Sequence, residues 1–109
     1  MRIMSALVVY VTAPPAAAEA LARALVAARV VACVNLLPAV RSVYRWQDAV
    51  HEDDESLLII KTASDRFEAL KTEVLKHHPY ELPEIIAVPV AAAHAPYLQW
   101  LVKESSPSA

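Results

Sequence analysis

The chain has 109 residues, close to the commonest domain size, so one hydrophobic core spanning residues 1–109 is expected. Ten Lys and Arg against 12 Asp and Glu leave a net charge of −2, which gives no general attraction to nucleic acid or to an anionic membrane. Hydrophobic residues make up 57% of the sequence, above the roughly 45–50% usual for soluble domains, so apolar surface is left over for partners or further copies.

Residues 5–12, SALVVYVT, are a β-branched apolar run closed by Pro14 and Pro15, the pattern of a strand buried on both faces. A helix is expected over 15–29, with Leu21, Leu25 and Ala28 at helical spacing and the prolines at its start, where a missing N–H is harmless. VVACVNLLPAVRSVYRW from Val30 is answered by VHEDDESLLIIKT after Gln47 and Asp48, which predicts a long hairpin. Pro38 cannot donate to a ladder, so it marks a bulge or edge position in the first arm. The second arm is acidic near its tip and apolar from Leu57 to Ile60, so the tip is expected in solvent and the base in the core.

Asp65 and Glu68 have capping-box spacing, and Phe67, Leu70 and Val74 then follow one face of a helix over 65–77 that Pro79 ends. Residues 84–91, EIIAVPVA, predict a strand with Pro89 at an edge or bulge. HAPYLQWLVKE supplies a last helix, and SSPSA is expected to fray. The order β-α-β-β-α-β plus a C-terminal helix is that of the α+β, ferredoxin-like split βαβ fold, in which two helices cover one face of a four-stranded antiparallel sheet. Strands this apolar on both sides require the other face to be hidden, and association between copies would hide it.

No apolar stretch reaches the roughly 18 residues needed to cross a bilayer, and MRIMSALVVYVTAPP runs straight into the first strand, so no signal peptide or membrane partner is expected. Cys33 is the single cysteine. It excludes an intrachain disulfide and fits a reducing compartment, which makes the cytoplasm the expected location. Glycine is absent, so turns must be built from Pro, Asn, Asp and Ala.

Several blocks in this order, VVYVTAP, ARALVAARVVACVNLLPAVRSVYRW, LLIIKT, HPYELPEIIAVPV and YLQWL, together resemble the CutA family of divalent-cation tolerance proteins. The resemblance covers nearly the whole chain. It implies a homotrimer with sheets facing inward and long hairpins reaching between subunits, much as in PII-type signalling proteins. It also implies a cytoplasmic role in tolerance of copper and other divalent cations. The chain departs from the family where glycine is common, carrying Ala39, Asp48 and Ala93 instead.

His77 and His78 close the second helix, and Pro79 pushes His78 toward extended geometry, so the two imidazoles could converge on copper or another divalent ion, weakly bound and not required for folding. The resemblance matches this pair to histidines implicated in copper binding, while the cysteine some relatives carry beside the strand-one threonine is replaced here by Val11. The alternative is that both are cationic groups at a helix C-terminus. Cys33 reads as a small buried hydrophobe, or as a soft metal ligand. The resemblance also suggests that Tyr44, Trp46, Lys61, Tyr80 and Glu84, with Cys33, gather near an intersubunit cleft able to take a small anionic ligand or a regulatory effector. Against that stand interface packing for Tyr44 and Trp46 and simple exit from the sheet for Lys61. The run His51, Glu52, Asp53, Asp54, Glu55 reads as a solvated tip that blocks edge pairing, with hard-cation binding as the alternative.

Two functions follow from these readings: a trimeric copper- or divalent-metal-binding tolerance protein, and a PII-like signalling or scaffolding trimer that binds an effector or partner protein in its clefts. Neither a Ser/His/Asp or Cys/His set nor a phosphate-cradling glycine loop is present, so no enzyme is expected.

Overall fold

The computed structural model describes residues 5–107. The elements run β1 (Ala6–Ala13), α1 (Pro15–Ala27), β2 (Cys33–Trp46), β3 (Ala49–Ala63), a 3-10 turn (Ser64–Arg66), α2 (Phe67–His77), β4 (Ile86–Pro89) and α3 (Ala95–Glu104). All strand pairs are antiparallel and the sheet order is β2-β3-β1-β4, the ferredoxin-like order expected from the sequence.

Because successive strand residues point to opposite faces, the register sorts the sheet into two sides. Val9, Val11, Leu58 and Ile60 meet across β1 and β3 and join Leu21, Leu25, Leu70 and Val74 from α1 and α2 in one core, with Val34 and Leu36 of β2 packed against it. Their neighbours in sequence form the second face: Asn35 and Leu37 of β2, Leu57, Ile59 and Lys61 of β3, Val8 and Tyr10 of β1, Ile86 and Val88 of β4. Of the described helices only α3 reaches this side, where Tyr97 meets Cys33 at one end, and Ile86 and Val88 remain 56% and 46% exposed.

Local causes set the element ends. Pro14 accepts the first helical N–H groups from Ala17 and Ala18, and Pro15 begins α1. The buried stripe of α1 is Ala18, Leu21 and Leu25, whereas Ala28 is the exposed C-cap. Arg29 follows with a left-handed φ of 58°, a position that usually takes glycine. Its guanidinium compensates: Nε donates to Ser106 O at 2.9 Å and Nη2 to Lys103 O at 3.3 Å. Arg66 completes the clasp, donating to Ser105 O at 2.7 Å and Arg29 O at 3.2 Å.

Ser105 is fully buried; its hydroxyl accepts Ala63 N–H at 3.0 Å and donates to Leu101 O at 2.7 Å. The segment expected to fray is thus fastened at Ser105 and Ser106, while residues 108 and 109 lie outside the described range. The expected capping box does not form at α2. Asp65 falls inside the 3-10 turn, and the N-cap is Arg66, which makes no side-chain capping bond.

The bulge expected at Pro38 is present. Leu37 pairs with Leu57 but Val40 with Glu55, so Pro38 and Ala39 put one extra residue into β2. The freed Pro38 carbonyl accepts the Ser56 hydroxyl at 2.8 Å. Beyond the bulge the hairpin extends past the helices, giving the molecule an extent of 49 Å along its longest axis. Gln47 and Asp48 turn the tip with φ of 51° and 65°, the two-residue left-handed turn whose twist matches the strands. Ala39 and Ala93 need no positive φ, so two of the three glycine replacements are without conformational cost.

Candidate functional site

The bulge decides which residues meet on the arm. Before it the odd-numbered residues of β2 share the bare face with Leu57 and Ile59; after it the even-numbered ones do, so Val40, Ser42, Tyr44 and Trp46 stand beside Glu55, Asp53, His51 and Ala49. Tyr44 donates its hydroxyl to Asp53 Oδ2, and its ring stacks on His51 with centroids 5.6 Å apart. The His51 Nε2–H donates to the Trp46 carbonyl at 3.1 Å, which holds the aromatic tip together.

The C-terminal end of α2 brings Tyr80 to the same place. Pro79 forces His78 out of helical geometry, to φ −77° and ψ 134°. The imidazole turns inward, where its Nε2 lies 2.7 Å from Thr12 O and its Nδ1 accepts Tyr80 N–H at 3.1 Å. A carbonyl only accepts and a backbone N–H only donates, so these two bonds fix the neutral Nε2–H tautomer. The turn presents Tyr80, whose ring packs 4.8 Å from that of His78 and whose hydroxyl donates to Glu55 Oε2 at 3.0 Å. Glu55 is only 5% exposed.

Asp53, Glu55, Glu84, Tyr44 and Tyr80 thus form one acidic, phenol-walled patch where the arm meets the α2–β4 loop. Burial pushes the Tyr80 phenol up to about 12, helped by its bond to Glu55 and by the charges of Glu55 and Asp53. The bond to Asp53 raises Tyr44. Burial, then the Glu55 charge, raises Glu84. Every perturbing charge is negative, so the patch itself offers no attraction to an anion.

The remaining candidates lie elsewhere. His77 does not converge with His78; it sits on the exposed end of α2 with Nε2 3.4 Å from Glu73 Oε2. Hydrogen bonds from Lys76 and His77 hold the Glu73 carboxyl below its usual range. Lys61 and Cys33 face each other across β3 and β2, with the Lys61 ammonium bonded to Asn35 Oδ1. Tyr97 of α3 reaches Cys33, and burial followed by that thiol raises its phenol. Among the described residues, no group of three or more His, Cys, Asp or Glu side chains is placed to hold a metal ion. Asp53 and Glu55 escaped recognition as site residues because they belong to a charge run that reads as a solvated tip; their signal is the alternation that places them beside Tyr44.

Sheet order, helix placement and long hairpin define an α+β protein of the ferredoxin-like class with one apolar face uncovered and a polar patch at its margin. The chain belongs to the CutA1 divalent ion tolerance protein family, whose sequence model matches residues 7–104. It is 47% identical over 95 residues to the divalent-cation tolerance protein CutA of Thermus thermophilus, covering 86% of this chain and 92% of that protein. A solved Thermus thermophilus Cut A1 structure superposes with a TM-score of 0.90 at 44% identity, over 93% of this chain and 99% of the other. The PII-like protein CutA of Nostoc superposes with a TM-score of 0.84 at 35% identity, over 95% and 98%. The names of the Thermus thermophilus proteins concern divalent-cation tolerance and that of the Nostoc protein a likeness to PII; none specifies a reaction.

The expected cytoplasmic location is overturned. The Arabidopsis thaliana relative, 44% identical over 96 residues and 87% of this chain, is a chloroplastic protein. The Archaeoglobus fulgidus structure, with a TM-score of 0.88 at 29% identity over 93% of this chain and 99% of that one, is of a protein described as periplasmic. This chain spans about half the length of the human and Arabidopsis relatives, 52% and 53%. A single thiol cannot report the redox state of a compartment, so Cys33 was not a sound basis for that expectation.

Proposed function

We propose that the chain is a single-domain homotrimer that binds copper or another divalent cation weakly and serves cation tolerance as a binding protein rather than as an enzyme. The observation that carries this reading is the uncovered sheet face, with Tyr10, Leu37, Leu57, Ile59, Ile86 and Val88 on one side of one sheet. An apolar face of this kind is stable in water when covered by copies of itself. The family membership supports the cation role.

The residues fit a cation only in part. His77 with Glu73 supplies one imidazole nitrogen and one carboxylate oxygen at a helix end, suited to copper or zinc. His78 joins them only by giving up its bonds to Thr12 and Tyr80. A two-donor surface site binds weakly and adds nothing to folding. In a Cu(II) titration followed by calorimetry, His77→Ala is expected to lose binding while His78→Asn keeps it, both remaining trimeric by sedimentation. Unchanged affinity in His77→Ala rejects the site, and a monomeric parent protein at micromolar concentration rejects the trimer.

A PII-like role is the second reading, supported by the name of the Nostoc protein and by the stacked Tyr44–His51 pair beside Trp46 at the arm tip, which suits a planar effector. A thermal-shift screen of nucleotides and organic cations tests it: a ligand that raises the melting temperature of the parent protein but not of Trp46→Ala supports it, and no shift from any member rejects it.

A further inference from the structure

At the base of the sheet, where the chain leaves α1 and enters β2, the Arg29 clasp draws the C-terminal ends of α1 and α3 together. Between them lies a cleft of about 330 Å³ lined by Val26, Arg29, Val31, Ala32, Trp100 and Glu104, at the small end of the range for ligand sites. None of these six residues belongs to the acidic patch on the arm. The apolar wall is unusually bare: Val26 of α1 and Trp100 of α3 are 44% and 43% exposed, although Leu21, Leu25 and Leu101 of the same helices are buried. Tyr97, one turn before Trp100, packs against it with ring centroids 5.5 Å apart and reaches Cys33, so the indole stands against a neighbour that is itself held.

The polar wall is a pair of opposite charges that do not complete each other. Arg29 Nη1 lies 3.7 Å from a Glu104 carboxylate oxygen, too far for a hydrogen bond. Arg29 Nε and Nη2 are committed to the carbonyls of Ser106 and Lys103, which fixes the guanidinium plane and leaves both Nη1 donors unused. Among the described residues Glu104 has this one ion-pair partner and accepts no side-chain hydrogen bond. Both side chains are partly open to solvent, at 33% and 36%.

We propose that this cleft binds a free α-amino acid with an apolar or aromatic side chain, its carboxylate on Arg29 Nη1, its ammonium on Glu104 and its side chain against Trp100 and Val26. An α-amino acid carries both charges on one carbon, matching a cation and an anion set side by side on one wall. A simple anion would gain Arg29 but be repelled by Glu104, and a simple cation the reverse; a zwitterion is attracted at both ends. Charge-assisted hydrogen bonds to the ligand are stronger than the loose pair they replace. The ligand side chain covers the Trp100 ring and Val26, taking out of water the apolar surface that the chain leaves bare. This site is separate from the cation and effector readings above and needs neither.

Calorimetric titration of the parent protein with L-leucine and L-phenylalanine tests the site, beside N-acetyl-L-leucine, which lacks the ammonium, and L-leucinamide, which lacks the carboxylate. Both amino acids are expected to bind, and each blocked analogue to bind on the order of tenfold more weakly than L-leucine. Absence of heat from either amino acid at millimolar concentration overturns the proposal, as does equal binding of the blocked analogues. Glu104→Gln, which keeps the side-chain shape, is expected to weaken L-leucine on the order of tenfold and to remove its advantage over N-acetyl-L-leucine. Trp100→Ala is expected to weaken L-phenylalanine by about as much. Unchanged affinity in both variants puts any binding elsewhere and overturns the proposal. Sedimentation of the same samples supplies the remaining check: a Trp100→Ala chain with an altered assembly state makes the indole wall a contact between copies and also overturns it. Should Trp100→Ala fail to fold by circular dichroism, Val26→Glu, at an exposed position of α1, takes its place with the same expectation.

Discussion

The two sides of the sheet are built from the same strands, alternate residues and nearly the same apolar alphabet, yet they solve different problems. Val9, Val11, Leu58 and Ile60 are fully buried under α1 and α2, while Val8, Tyr10, Ile59, Ile86 and Val88 face away from every helix that roofs the core. The first side is completed by the chain itself; the second is the one on which the proposed association between copies depends. Stability and assembly are therefore written on alternate residues of one strand, and substitutions at adjacent positions should separate them.

The largest expected effect is at Leu58. Leu58→Ala should cost about 2–5 kcal/mol in chemical denaturation, because a cavity opens in the closed core. Ile59→Asp, one residue on, should leave the circular dichroism of the chain native-like and instead shift sedimentation toward single chains; loss of folded signal in both would erase the distinction between the sides. Next comes Ser105→Ala, which leaves the buried Ala63 N–H without its acceptor and should destabilise by about 1–3 kcal/mol.

A pH test sharpens the contrast between core and patch. A phenol whose folded value, about 12 for Tyr80, exceeds the unfolded value of about 10 contributes stability that is present below pH 10 and lost as pH rises toward 12. The parent should lose stability more steeply across that window than Tyr80→Phe, and parallel curves would show that Tyr80 does not carry the shift. The smallest effect belongs to the tip. Asp48→Gly relieves a left-handed non-glycine residue and should stabilise by about 0.5–1 kcal/mol.

Much of this was legible in the sequence for identifiable reasons. Leu21 and Leu25 announce α1 because helical periodicity is local, and Pro38 announces the bulge because a missing donor is a local defect. The meeting of Tyr80 with Glu55 was not legible, since it needs Pro79 to turn the chain, His78 to bond Thr12, and a bulge 17 residues before Glu55 to bring Tyr44 alongside. Arg29 in a left-handed position was hidden because arginine is no left-handed former; the site is tolerated only because its side chain clasps the end of α3. The role of Ser105 was hidden too, as nothing in SSPSA shows that Ala63 lacks an acceptor until β3 and α3 are placed together.

The inserted residue at Pro38–Ala39 reaches further than a local kink. Were the bulge closed with no residue lost, Ala39 would pair with Glu55, and Val43 and Arg45 would stand where Tyr44 and Trp46 now do; deleting Ala39 instead keeps Val40 opposite Glu55 and leaves both sides of the arm as they are. The chemistry of an entire limb thus hangs on one residue being left unpaired, with no change to any residue that forms it.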